Sequence, residues 1–174
     1  DENDTIFHHS YYESKNLPDE AIDARVFYLN NPATGCTTLF KKELIQYALP
    51  FPNEIKYHDW WLAYVASKYS PVISVKKALI QYRRHDANVT TVEKGEVSKF
   101  NFWHKKMEKV RYLDTLHTNR LNHLKAVITF EKKEQFSIKF SQTLLNWHQS
   151  YAKNWDTKEY RSFFEANSAL YMMP

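Results

Sequence analysis

Helix-breaking residues are unevenly spread along this chain, and that spread constrains its fold more than any other feature. Pro18, Pro32, Pro50, Pro52 and Pro71 punctuate the first part, whereas neither proline nor glycine occurs between residues 96 and 173. A stretch with nothing to end a helix and with apolar residues at helical spacing reads as helices. Phe100, Trp103, Met107, Val110, Leu113 and Leu116 keep that spacing, and Leu121, Leu124, Val127 and Ile128 continue it. Phe136, Phe140, Leu144, Trp147 and Tyr151 form a further stripe, and a weaker one runs from Tyr160 to Leu170. The spacing predicts a helical bundle or helical hairpins beyond about residue 98, after a polar linker at 90–97.

The first part is organised differently. Residues 1–24 are polar, and Asn16-Leu17-Pro18-Asp19 marks a turn. Residues 25–29 are β-prone and closed by Asn30-Asn31-Pro32, and Thr34 to Phe40 is β-branched and expected to be extended. Lys41 to Tyr47 can form a helical turn or two before Pro50-Phe51-Pro52 stops them. Asp59 to Tyr69 reads as a helix burying Leu62, Val65, Ala66 and Tyr69, with His58 or Asp59 at its N-cap or in its first turn. Pro71 ends it, and residues 72–75 and 78–83 read as strands. The expected class is α+β but predominantly helical, with residues 1–92 as one unit and 93–174 as a helical extension.

Composition narrows the function. Two glycines in the whole chain exclude a Gly-rich phosphate loop within it. Twenty-four basic against 20 acidic side chains give +4, enough for an anionic ligand or lipid surface but short of a nucleic-acid partner. Cys36 is the lone cysteine, so neither a disulfide framework nor a thiolate zinc site exists within the chain, and a reducing cytoplasm is the simplest expectation. No apolar run reaches the roughly 18 residues that span a bilayer. The cluster Lys99, Lys105, Lys106, Lys109, Arg111, Arg120 and Lys125 is either a solvated helix face or a peripheral contact with anionic lipid.

Two motifs bear chemistry. Asp59 precedes Trp60 and Trp61, which point about 100° apart on a helix, so one can face the core while the other lines a site. A carboxylate beside an aromatic wall suits deprotonating a sugar hydroxyl while the ring packs on the sugar's apolar face. A capping Asp before two core tryptophans is the plainer alternative. His85 follows Arg83 and Arg84, a pattern suited to a divalent cation and a diphosphate, or equally to an ordinary loop. Gly35 before Cys36 allows a ligand close to the backbone. His8-His9 lacks a third ligand at metal-like spacing, and most of His104, His117, His123 and His148 read as surface or satisfied interior residues.

Taken in order, these stretches resemble the C-terminal half of family 2 glycosyltransferases, especially the bacterial rhamnosyltransferase-like group. The resemblance rests on Asp1-Glu2-Asn3 with Ser10, Asn31 with Thr34-Gly35-Cys36-Thr37 and Phe40, and Leu49-Pro50-Phe51-Pro52. It continues through His58-Asp59-Trp60-Trp61 and Tyr82-Arg83-Arg84-His85 with Asn88, covering residues 1–90. It implies the acceptor half of a GT-A (Rossmann-like) domain in an inverting enzyme that builds bacterial surface polysaccharide. Asp59 is then the base, and Gly35, Cys36, His58, Trp60, Trp61 and Arg83 line the substrates. His85 contacts a divalent metal, Mg or Mn. The partners implied are a nucleotide-sugar donor and a saccharide or lipid-linked acceptor, with the protein cytoplasmic or peripheral at the inner membrane face. The family's nucleotide-binding strands and Asp-x-Asp are expected upstream of Asp1, so the chain reads as a fragment inactive alone. A non-catalytic, α-rich module docking a protein or membrane is the alternative from another class.

Overall fold

The computed structural model describes residues 21–75, 77–81 and 102–151, with side chains of the helical half described from residue 115 to 149. Strand β1 (Ala21–Ile22) pairs antiparallel with β2 (Val72–Ile73), Ala21 opposite Ile73 and Ile22 opposite Val72. Between them lie a 3-10 turn (Ala24–Tyr28), a shorter one (Gly35–Thr37), and a third (Lys42–Leu44) running into helix α1 (Ile45–Ala48). Helix α2 is His58–Tyr69, and two long helices, α3 (Phe102–Lys133) and α4 (Lys139–Tyr151), form the second half. Helix predominates among the described residues, as the spacing predicts. No helix among them is long and apolar enough to cross a membrane.

Three local expectations are corrected. The β-prone run at 25–29 is a 3-10 turn, because the Asp23 carboxylate accepts from Arg25 N at 2.8 Å and caps it. Packing then buries Val26, Phe27 and Tyr28. The run from Thr34 to Phe40 is extended only at its flanks, since Thr37 N bonds to Thr34 O at 2.8 Å and winds Gly35–Thr37 into a turn. Residues 78–81 form no strand, and their would-be continuation at 82–83 lies outside the described residues, as do His8, His9 and the stripe beyond Tyr160.

Helix α2 buries more than the expected stripe. Val65 is buried and Leu62 packs on the core as expected, but Trp60, Trp61, Ala63 and Tyr64 are buried too, and Tyr69 is 41% exposed. An interior tryptophan removes about 150–250 Å² from water, roughly 4–6 kcal/mol at 25 cal/mol per Å², and this outweighs the aliphatic stripe. Each indole N–H finds a carbonyl, Trp60 Nε1 donating to Phe27 O at 2.7 Å and Trp61 Nε1 to Ala48 O at 3.0 Å. One core joins both halves of the chain, with Phe27, Trp61 and Tyr64 packed together with Leu124, Val127, Phe130 and Leu144.

That core encloses a charge. The Glu131 side chain is fully buried on α3, and its Oε1 accepts from Tyr28 OH (2.6 Å), Tyr64 OH (2.9 Å) and Lys68 Nζ (3.0 Å). Its Oε2 accepts from Ser141 Oγ of α4 at 2.5 Å. Higher on the same helix, Arg120 is buried rather than part of a solvated or lipid-facing surface. Its Nε donates to Leu29 O and its guanidinium to Asn30 Oδ1, both at 2.8 Å. His123 and His148 are buried, each with one ring nitrogen lacking a partner among the described residues.

Two predictions concern this core. Glu131→Ala strands four donors and should cost about 3–5 kcal/mol, read as a lower urea midpoint; Glu131→Gln, which keeps an acceptor, should cost less. Burial pushes the Glu131 carboxyl up, but hydrogen bonds from Ser141, Tyr28, Lys68 and Tyr64 outweigh it and hold the group below its ordinary range. Burial pushes His123 down to about 3, against the Phe27 bond, and burial with the charges of Arg120 and His117 pushes His148 down to about 3. All three folded values lie below the unfolded ones, so the unfolded chain binds more protons in acid and stability falls as the pH is lowered. The histidine contribution is complete above about 6.5 and is lost towards about 3; the Glu131 contribution disappears below the ordinary glutamate range. Urea midpoints measured from pH 7.5 to 4 should fall from about pH 6.5 downward. A flat profile between 6.5 and 4.5 would exclude the buried neutral histidines.

Candidate functional site

Asp59 sits in the first turn of α2, behind the N-cap Tyr57, and is half-buried. Its Oδ1 accepts from Trp60 N at 2.8 Å and from Asn31 Nδ2 at 3.0 Å, and its Oδ2 accepts from Gly35 N at 3.2 Å. Three donors from three places fix the carboxylate plane. Oδ1 carries two of them and Oδ2 one, so Oδ2 is the oxygen with a lone pair to spare. Thr37 and Thr38 hydroxyls both donate to Thr34 O at 2.9 Å, tightening the turn whose leading amide faces Asp59.

Gly35 eases a close approach here. A Cβ at this position would lie 3.0 Å from His58 Nε2 and 3.6 Å from Asp59 Cβ. The structure therefore brings Gly35, His58 and Asp59 together, as the sequence implies, with Cys36 and His58 exposed beside them. It does not supply the aromatic wall. Trp60 and Trp61 are 4% and 2% exposed, so neither offers an open face to a sugar beside Asp59. Trp60 stacks on the His123 ring of α3, centroids 4.1 Å apart, which occupies a face that a ligand would need. Arg83 and His85 lie outside the described residues, and among the described residues no group of three or more His, Cys, Asp or Glu side chains could hold a metal.

A shallow crevice with room for about one water lies on the other border of the α2 start, lined by Glu54, Ile55, Lys56, Tyr57, Trp60, Asn119 and His123. Sequence reasoning missed the two residues that α3 contributes, Asn119 and His123. A signal exists: Arg120, His123, Leu124, Val127 and Glu131 recur at i, i+3, i+4, i+7 and i+11, so three polar side chains occupy buried-face positions, and polar groups there are held by partners.

No protein-family model matches the chain, and no curated protein or solved structure is significantly similar to it. The functional reading therefore stands on residues and their geometry.

The turn against Asp59 makes its own prediction. In Gly35→Ala the exposed His58 ring must move by a few tenths of an ångström, and the cost should stay below about 1 kcal/mol. Gly35→Val adds methyl groups towards Asp59 and should cost about 1–3 kcal/mol while breaking the amide contact to Oδ2. Urea denaturation of both variants gives the two values; equal costs would show that the close approach is not what selects glycine.

Proposed function

We propose that this chain carries the acceptor side of an inverting glycosyltransferase, acting at the cytoplasmic face of the membrane in bacterial surface polysaccharide synthesis. The observation that carries the reading is the Asp59 carboxylate, oriented by Asn31, Gly35 N and Trp60 N beside the Thr34-Gly35-Cys36-Thr37 turn. A carboxylate with both oxygens anchored and one lone pair left over is built to accept a proton from a set direction.

In this reaction the acceptor hydroxyl gives its proton to Asp59 Oδ2 as its oxygen attacks the anomeric carbon of the donor sugar. The new glycosidic C–O bond forms as the bond to the nucleoside diphosphate breaks, and the configuration inverts. Asn31 and the Gly35 amide hold the base while His58, exposed beside it, borders the acceptor. A divalent metal, where bound, would offset charge on the departing diphosphate; His85, expected to contact it, and Arg83, expected on the substrate side, are outside the described residues, and no step above runs through it.

Asp59→Asn tests this directly, because an asparagine Oδ1 still accepts from Trp60 N and keeps the helix start intact. In the full-length protein, nucleoside diphosphate release from nucleotide sugars should fall about 10²–10⁴-fold, with the urea midpoint little changed. Near-wild-type turnover would remove Asp59 from the base role.

A further inference from the structure

Arg120 is a buried cation directed at two neutral acceptors on successive residues. It is 8% exposed, and at 2.8 Å in each case its Nε donates to Leu29 O and its Nη2 to Asn30 Oδ1. Taking a guanidinium out of water is costly, and an apolar side chain of similar volume often stabilises such a place as well. What the rigid fork adds is position, because it fixes both acceptors at once.

The next residue is Asn31, whose Nδ2 donates to Asp59 Oδ1 at 3.0 Å. Its amide cannot be turned over, since Oδ1 would then face a carboxylate oxygen. In the orientation found, Asn31 Oδ1 is buried and meets no donor among the described residues. The side chain therefore has its bond to Asp59 and no second one there to steady it, so its placement is set by the backbone. That backbone is restrained on both sides. Asn30 is gripped by Arg120, and buried Pro32 confines the residue before it to extended conformations.

We propose that Arg120 is a positioning residue: by fixing Leu29 and Asn30 it holds the Asn31 amide against Asp59 Oδ1, and so keeps Oδ2 turned towards the acceptor hydroxyl. The consequence for turnover rests on the base reading above; the fixing of Asn31 does not. The long helix α3 then sets the geometry of the site as well as that of the core.

The test compares Arg120→Met, which keeps the volume without donors, with Arg120→Lys, which keeps the charge and reaches one acceptor. In the full-length protein, nucleoside diphosphate release from nucleotide sugars should show kcat lowered about tenfold or more in Arg120→Met. KM for the nucleotide sugar should be unchanged, and Arg120→Lys should fall between Arg120→Met and the wild type. Leu144→Val, which thins the same core at α4, should leave kcat alone, and an Arg120 that only stabilised the fold would behave like it. In an Asp59→Asn background Arg120→Met should lower turnover no further, because the group it positions is gone. Without any turnover, NMR of the chain should show the Asn31 side-chain amide resonances moving towards those of free asparagine in Arg120→Met but not in Leu144→Val. Asn31→Ser deletes the last link at a half-buried position, and reads the same kcat loss even where Arg120→Met folds poorly.

Unchanged Asn31 resonances in Arg120→Met would overturn the positioning role. So would, with Asp59→Asn impaired, unchanged kcat in both Arg120→Met and Asn31→Ser, or losses that add fully to that of Asp59→Asn. Near-wild-type turnover in Asp59→Asn removes only the base, and the resonances still decide whether Arg120 fixes Asn31.

Discussion

A carboxylate without solvent must be met by donors, and Glu131 gathers them from every part of the fold. Tyr28 comes from the 3-10 turn, Tyr64 and Lys68 from α2, and Ser141 from α4. Lys68 is the counter-ion, and its ammonium also lies 4.9 Å from the Phe136 ring centroid, so its charge is shared between carboxylate and aromatic faces. Such a network contributes little net stability over an apolar core, but it permits one arrangement of four elements and penalises others heavily.

The same helix reaches the candidate site by a short chain of contacts. Arg120 and His123 hold the carbonyls of Leu29 and Phe27, fixing the segment that ends in Asn31. Asn31 then orients Asp59. The helical half is thus mechanically part of the site's support, since the backbone that carries Asn31 is clamped from α3. This also explains why a division of the chain near residue 92, natural by composition, does not coincide with a division of the core.

Much of this was legible in the sequence. Helix α2 begins and ends where the Asp59 and Pro71 signals put it, and a run free of proline and glycine did become long helices. What escaped has physical causes. The break between α3 and α4 uses neither proline nor glycine: Gln135 takes the left-handed conformation at φ 59°, while Phe136 N bonds back to Glu131 O at 2.8 Å and closes the helix end. The turn at 24–28 follows from one aspartate side chain outcompeting β propensity. The burial of both tryptophans follows from ring area, which a periodicity of aliphatic residues does not register. Polar residues on the buried face of α3 were visible as letters, yet the partners of Arg120 and His123 lie about 90 to 100 residues away, beyond the reach of any local pattern.

The Phe27 carbonyl accepts from two side chains at once, Trp60 Nε1 and His123 Nε2. A peptide oxygen is supplied by any amino acid, so the latch between α2 and α3 does not itself need phenylalanine at position 27, only an apolar side chain that fills the same buried volume. The burden of identity falls on the two donors. Variation across descendants of this sequence should accordingly stay apolar and of similar size at 27, and be narrow in kind at 60 and 123.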